Sequence, residues 1–355
     1  MIRRTLLLFL AAAAFLGAEE LRVATLNLQN YLVQDRRVEG VWRRDYPKPE
    51  KEKAALRKAI AAIDPDILAL QEMGPAPFLR EFQEELAAAG TRFPHAVHFR
   101  AEDENRHLSV LSKTKPAEVL RHTDMDFPYF GERLRIKRGL LEVVFPVPGA
   151  PERRWSLFVV HLKSRWSDQE GDPESNERRR KEARAARNRI LERYPDAEGL
   201  FLVAGDFNDH RESAPLRRFL RRADIDISRI VETYDSRREK WTYYYDDHDR
   251  YERVDFILAS REMFRRIPGG RGTIFDALFV REGSDHRPVY VDLRFGQGDG
   301  VTGSAGSGRG FMPRFSAVMP RSGRRYRGIN PLPRFPEMSP HFRLHPQGDT
   351  PRALD

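Results

Sequence analysis

Two short runs carry the residue types that chemistry needs: Gly205-Asp206-Phe207-Asn208-Asp209 and Ser284-Asp285-His286-Arg287-Pro288. Each adjoins an apolar run suited to a buried strand. Taking a carboxylate or an imidazole out of water is costly unless it is paired or bound to a metal. A chain that closes strand after strand on such groups is collecting them along one rim. Oxygen and nitrogen donors gathered in this way suit a divalent cation and the hydrolysis of phosphate esters.

The same plan recurs along the chain. Residues 21–27 close on Asn27, 66–72 on Glu72, 155–161 on His161 with Lys163 just beyond, and 200–206 on Asp206. Asp255 opens another apolar run, and Asp285 and His286 precede the run 288–293. Continuous runs rich in Val, Ile, Leu and Phe suit central strands covered on both faces. Taken singly, an Asp after a strand is ordinarily a turn former or a helix cap, and a lone His there is ordinarily structural. The succession of such groups at one strand end after another favours the chemical reading.

The set resembles the endonuclease/exonuclease/phosphatase superfamily, the metal-dependent group that includes DNase I and exonuclease III, and in particular its secreted bacterial branch. The matching residues are Leu26-Asn27, Leu70-Gln71-Glu72, His161-Leu162-Lys163-Ser164, the run 205–209, Val254-Asp255 and the run 284–288, in the family's order between Leu21 and Phe295. Weaker echoes are the strand-like 105–112 and the aromatic Trp241-Thr242-Tyr243-Tyr244-Tyr245.

The resemblance implies an α/β fold: a four-layer α-β-β-α sandwich of two packed mixed sheets, with the active rim at one edge. It implies Glu72 as principal metal ligand, with Asn27 and Asp285 nearby. Asp206 would orient or deprotonate the attacking water, and Asn208 would donate to a phosphate oxygen. His286 would contact the phosphate while Asp255 holds its other ring nitrogen. His161 would lie across the site as a second phosphate contact or leaving-group acid. Lys163 is a candidate substrate contact. Arg138, entering the strand-like 138–144, could reach the substrate or make a surface ion pair. The tyrosine that several nucleases of this group place near the scissile phosphate has Tyr31 and Tyr129 as positional candidates. Whether one metal or two is used stays open.

These groups need a scaffold, and the composition supplies one. The chain has 355 residues, 40% of them hydrophobic, enough for one large core. Cysteine is absent, which excludes disulfides and Cys-ligated zinc. Any metal must sit among oxygen and nitrogen donors, which favours Mg²⁺, with Mn²⁺ or Ca²⁺ as alternatives. Apolar spacing predicts helices over 51–63, 77–89, 174–194 and 215–222, the last capped by Ser213. The third alternates Arg and Glu, which suits a solvated outer face better than phosphate contact by 178–180.

The two ends differ from the middle. Arg3 and Arg4, the apolar 6–16 and the small residues before Glu19 read as a signal peptide over 1–18, which places the mature protein in a periplasm or outside the cell. The catalytic domain is expected over 19–295. Residues 296–355 are dense in Gly and Pro, with nine Arg against four acids, and read as a disordered tail.

The functional expectation is an extracellular nuclease, a Mg²⁺-dependent phosphodiester hydrolase with nucleic acid as substrate. A net charge of +9 agrees with a polyanionic substrate. The alternatives are a lipid-headgroup phosphodiesterase of sphingomyelinase type or a phosphatase on the same scaffold, with Trp166 and Trp241 as weak membrane-contact candidates, and a non-catalytic binding protein. A monomer is expected, with no protein partner and no stable membrane insertion once the leader is removed.

Overall fold

A computed structural model describes residues 19–296. The expected leader, and the tail from 297 onward, lie outside the described residues. Within them the architecture follows from the apolar runs, because a strand that is apolar on both faces must be covered on both. Seven strands form one mixed sheet, in the order Glu232–Tyr234, Arg271–Ile274, Val289–Phe295, Glu19–Tyr31, Ile67–Met73, His107–Ser112 and His95–Phe99. Six form a second, in the order Arg229–Ile230, Asp255–Ala259, Phe201–Asp206, Ala150–His161, Leu140–Val147 and Glu118–His122.

The two sheets pack face to face. Val23, Ile67, Val110 and Val291 of the first meet Val143, Trp155, Leu157 and Leu202 of the second in a fully buried layer. Helices α1 (Glu50–Ile63) and α2 (Ala76–Ala88) cover the outer face of the first sheet, with Leu56, Ile60, Leu79 and Phe82 against Leu26, Leu68 and Leu70. Helices α3 (Asn176–Arg193) and α4 (Ala214–Leu220) cover the second, with Ala186, Ile190, Leu216 and Phe219 against Phe158, Val203 and Phe256. This is the expected four-layer sandwich. Among the described residues no helix is long and apolar enough to cross a membrane.

Helix ends moved from their expected places for local reasons. α3 starts at Asn176 rather than Glu174, because Asp172 accepts from the N–H groups of Glu177 (3.1 Å) and Arg178 (2.9 Å) and so caps the helix from outside. α4 is capped by Ser213, whose hydroxyl accepts from Leu216 N at 3.3 Å. It stops at Leu220 because Arg221 and Arg222 pair with Asp226 and Ile225 as a short hairpin. The far end of α3 is pinned by the buried Glu142, which accepts from Ser156 Oγ (2.7 Å), His122 Nε2 (3.0 Å) and Arg193 Nε (3.1 Å).

Gly205 shows how tightly the sheet closes next to Asp206. It has φ +140, and a Cβ there would lie 2.0 Å from the Val160 carbonyl oxygen of the neighbouring parallel strand. Only glycine allows that approach. Gly205→Ala is expected to destabilise the fold by roughly 2–3 kcal/mol or more, measured by urea unfolding. Wild-type stability in the variant would show that the two strands do not need this close pass.

Candidate active site

Parallel strands end at the same edge of a sheet, so their last residues become neighbours. The strands Glu19–Tyr31 and Ile67–Met73 set Asn27 beside Gln71. The strands Ala150–His161 and Phe201–Asp206 set His161 beside Asp206, and Asp206 in turn faces Asp255 at the start of an antiparallel strand. Bulges then re-aim the chain at this edge: pairing shifts register between Asn27 and Tyr31 and between Leu70 and Met73. Gln29, Asn30, Glu72 and Asn208 all adopt left-handed backbone, with φ of 49, 59, 59 and 51. Such positions cost energy in non-glycine residues and concentrate at functional sites.

The side chains so placed form one connected cluster at the floor of a cleft of about 620 Å³. Asp206 Oδ2 accepts from Asn27 Nδ2 (3.1 Å) and Asn208 Nδ2 (3.0 Å), and Asp206 Oδ1 accepts from Asn208 N (2.7 Å). His286 Nδ1 is hydrogen-bonded to Asp255 Oδ2 at 2.9 Å, leaving Nε2 toward the cleft. Ser284 Oγ donates to Asn27 O (2.8 Å) and accepts from His286 N (3.0 Å), which joins the first strand to the Ser-Asp-His loop. Glu72 Oε2 accepts from Asn30 N at 2.9 Å, and Asp285 N donates to Gln29 Oε1 at 3.1 Å.

Burial decides the charges. Desolvation pushes the Asp206 carboxyl up, partly offset by the positive charge of His286. Desolvation likewise raises Asp285, to about 6, with Glu72 adding to the rise. For His286 burial alone would lower the imidazole, but Asp255, through charge and hydrogen bond, together with Asp285 and Asp206 holds it well above its ordinary value. His161 goes the other way. Burial and the nearby charges of Arg138 and His286 keep it well below 6.5, a neutral ring.

Two groups of donors could hold a cation. Asp206, Asp255 and His286 have donor atoms within 4.8 Å of one another. Most of their donor atoms are engaged: two amide N–H groups face Asp206 Oδ2, and Asp255 Oδ2 is bonded to the ring of His286, which is held positive and so offers no lone pair, although Asp255 Oδ1 is buried without a partner. Glu72 and Asp285 fit a cation better. Asp285 Oδ1 is buried without a hydrogen-bond partner, and both carboxylates line the cleft. A buried carboxylate oxygen with no donor, facing a second carboxylate, suits a hard divalent ion.

Of the residues expected at the site, the structure brings together Asn27, Glu72, His161, Asp206, Asn208, Asp255, Asp285 and His286. Several face otherwise than expected. Asn27 commits its amide to Asp206 and, through Oδ1, to Gln29 N at 3.0 Å, so it orients Asp206 rather than standing with Glu72 and Asp285 as a free oxygen donor. His161 lies beneath the floor, its Nε2 3.8 Å from Glu72 and 3.6 Å from Asp206, and does not line the cleft. Lys163 is buried and turns its ammonium to the carbonyls of Ser164 (3.2 Å) and Trp166, holding that loop rather than a substrate. Arg138 is neither a cleft residue nor a surface pair; it is buried, 3.0 Å from Asp103. Tyr31 donates to Glu81 and Glu85, and Tyr129 to Asp172, all away from the site.

The tyrosines that do reach the cleft are Tyr243, whose ring lies 4.7 Å from that of His286, and Tyr245. The aromatic run 241–245 was the available signal; its alternation could not say which rings face in. Arg179 was also missed. It is fully buried, with Nε donating to Asp209 (2.9 Å) and Nη1 to Lys163 O (3.1 Å), so it ties α3 to the loop after Asp206. Arg179→Met strands the Asp209 charge and is expected to cost about 3–5 kcal/mol, read by chemical denaturation. A cost under about 1 kcal/mol would show that this pair does not hold the loop.

The comparisons with known proteins agree with this geometry. Residues 24–286 match the Endonuclease/Exonuclease/phosphatase family. Among solved structures, an endonuclease/exonuclease/phosphatase family protein from Bacteroides thetaiotaomicron superposes with TM-score 0.57 at 15% identity, covering 79% of this chain and 99% of that one. The human Nocturnin catalytic domain with bound sulfate anion gives 0.53 at 17% identity, covering 78% and 96%. Sphingomyelinase C from Streptomyces griseocarneus gives 0.50 at 17% identity, covering 78% and 99%. No curated protein sequence matches. Together, the family match along three quarters of its length and the fold shared with these structures mean that the chain belongs to the endonuclease/exonuclease/phosphatase family of phosphoester hydrolases, whose members typically depend on a divalent metal.

Proposed function

We propose that the chain hydrolyses nucleic-acid phosphodiesters in this cleft, with Glu72 and Asp285 holding a Mg²⁺ ion. When bound, the ion neutralises phosphate charge and stabilises the oxygen on which negative charge develops. The protein's own groups do the rest. Asp206, fixed by Asn27 and Asn208 and made more basic by burial, orients a water and accepts its proton. His286, held by Asp255 and kept positive, presents Nε2–H to a phosphate oxygen. Asn208, expected as a phosphate donor, has its amide engaged by Asp206 Oδ2 and the Leu162 carbonyl at 3.0 Å each, so its part is to fix Asp206 at the cleft wall. His161, neutral and beneath the floor, lies 3.8 Å from Glu72 and 3.6 Å from Asp206 and backs both carboxylates from below.

The observation that favours nucleic acid over other phosphate esters is a line of rings leading out from His286. Tyr243 lies 4.7 Å from His286, Tyr245 stacks on Tyr243 at 6.2 Å and 20°, and His248 follows at 4.9 Å. Tyr244, between them in sequence, points the other way onto Tyr251 at 4.7 Å. Strand alternation thus gives the cleft a row of faces on which bases can stack. Arg165 and Arg250 flank it, both paired with Glu252, and offer guanidinium groups beside the row of rings. The charged run at 3–4 followed by an apolar segment supports a secreted or periplasmic setting for this activity. A second reading, a lipid-headgroup phosphodiesterase, is favoured by Trp166, 71% exposed at the cleft rim.

The test is parallel assay of plasmid DNA, RNA, sphingomyelin and a phosphomonoester with Mg²⁺, Mn²⁺ or Ca²⁺. Nucleic-acid cleavage is expected, abolished by EDTA and lowered on the order of 10²-fold or more in Asp206→Ala and His286→Ala. Tyr245→Ala is expected to raise KM for a single-stranded oligonucleotide roughly 10-fold, with no such change for one that is abasic beside the scissile phosphate. Sphingomyelin turnover without nucleic-acid cleavage would replace this reading with the second.

A further inference from the structure

Helix α3 carries eight basic residues against three acidic. Most of the basic ones are neutralised: Arg178 by Glu182, Arg179 by Asp209, Arg180 and Lys181 by Glu177, Arg189 by Asp124 and Glu192, and Arg193 by Glu142. Arg184 and Arg187 are not. They stand one turn apart, and α4 packs against α3 so that two more guanidiniums, Arg218 of α4 and Arg222 of the following hairpin, lie near enough for their charges to act on Arg187. Among the described residues none of these four forms an ion pair with a carboxylate. Of the two acids of that hairpin, Asp226 is turned to Arg221 at 3.8 Å, and Asp224 forms no ion pair among the described residues.

This is unlike a solvated basic face. Arg187 is only 5% exposed, and its side chain finds a single neutral acceptor, Asn188 Oδ1 at 3.0 Å. Arg218 Nε is buried with no partner at all. Burial, then the charges of Arg222, Arg218 and Arg184, push Arg187 down to about 10. Four cations packed together with two partly out of water repel one another, and each lost hydration contact goes unreplaced. An anion among them removes both penalties. The guanidinium fork matches phosphate in shape and charge. Arg184 and Arg222 are exposed and would meet the phosphates, with Arg187 and Arg218 beneath them.

The position bears on what anion this is. α3 begins at the cleft, where Glu174 lines the wall and Arg179 grips the loop after Asp206. Arg187 lies about three turns further on, roughly 16 Å along the helix axis. That span is about five nucleotide steps at ~3.4 Å each. We infer that Arg184, Arg187, Arg218 and Arg222 form a second phosphate site, outside the cleft, that docks the backbone of a nucleic-acid strand whose scissile phosphate lies at His286. The inference rests on the nucleic-acid reading above, and free phosphate is the other source of the same chemistry.

The test uses the full chain and the exposed pair, Arg184→Gln with Arg222→Gln, which leaves the buried arginines and the catalytic groups in place. Binding of a labelled 20-nucleotide single strand is followed in EDTA across a salt series. The double variant is expected to bind about 10-fold more weakly, with the slope of log affinity against log salt reduced by roughly 1.4, the value for two lost phosphate contacts on a single strand. Cleavage of a dinucleotide in Mg²⁺ is expected to be unchanged. An unaltered slope in a variant that still cleaves overturns the docking site alone. Stabilisation of wild type but not variant by inorganic phosphate, with no change in strand binding, would make it a free-phosphate site and overturn the docking role. A wild-type chain that cleaves no nucleic acid would instead overturn the function on which the inference rests.

Discussion

Asn27 and Asp206 belong to different sheets and lie far apart in the chain, yet their side chains meet at 3.1 Å. That hydrogen bond is possible only because a dry layer of Val, Ile, Leu and Trp clamps the two sheets face to face with their strand ends level. Everything else at the site depends on this clamp. If one of these strands slipped its pairing by a single residue, its inward side chains would turn outward, and the carboxylates would scatter. The close pass of Gly205 against Val160 works toward the same end, because it fixes His161 and Asp206 side by side in register.

Once gathered, the charged groups stabilise one another in a way none could alone. Three acids and one imidazole share a buried volume. The imidazole of His286 stays positive because Asp255 bonds to it and Asp206 and Asp285 face it. Asp285 resists ionisation chiefly because it is buried, with Glu72 adding to the effect, and it retains an oxygen without a donor. Such an arrangement is poor for stability and well suited to a cation and a phosphate. The left-handed backbone at Gln29, Asn30, Glu72 and Asn208 is a further local cost borne at the same rim.

The surroundings of the cleft are built by parts that look inert when viewed one at a time. Lys163 holds the loop that carries Trp166, and Arg179 holds the loop that carries Asn208. Lys48, buried and paired with Glu52 at 2.9 Å, donates to Gln29 O at 3.0 Å and steadies the opposite rim. The hairpin of Tyr243 and Tyr245 is buttressed on its far side by Tyr244, Tyr251 and Trp241, with Arg287 over the indole at 3.0 Å. A stiff outer stack of this kind lets the inner rings keep a fixed face toward a ligand.

Strand ends and helix spans could be read from residue order, because apolar runs that stop at Asn27, Glu72, His161 and Asp206 are local patterns with a local cause. The four layers followed, since two-faced strands and one-faced helices leave few ways to bury what they expose. Facing could not be read in this way. His161, Lys163 and Arg138 sit at or beside strands just as Asp206 does, yet bulges and loop turns send one beneath the floor, one to a carbonyl loop and one to Asp103. Arg179 and Arg187 share one charged helix, and only the packing of α3 on α4 and on the loop after Asp206 made the first a buried clamp and the second part of an unpaired cluster. Sequence thus determined which groups were available at the rim. Tertiary packing decided which of them touch, because partners so distant in the chain are chosen by the meeting of surfaces and not by any spacing along it.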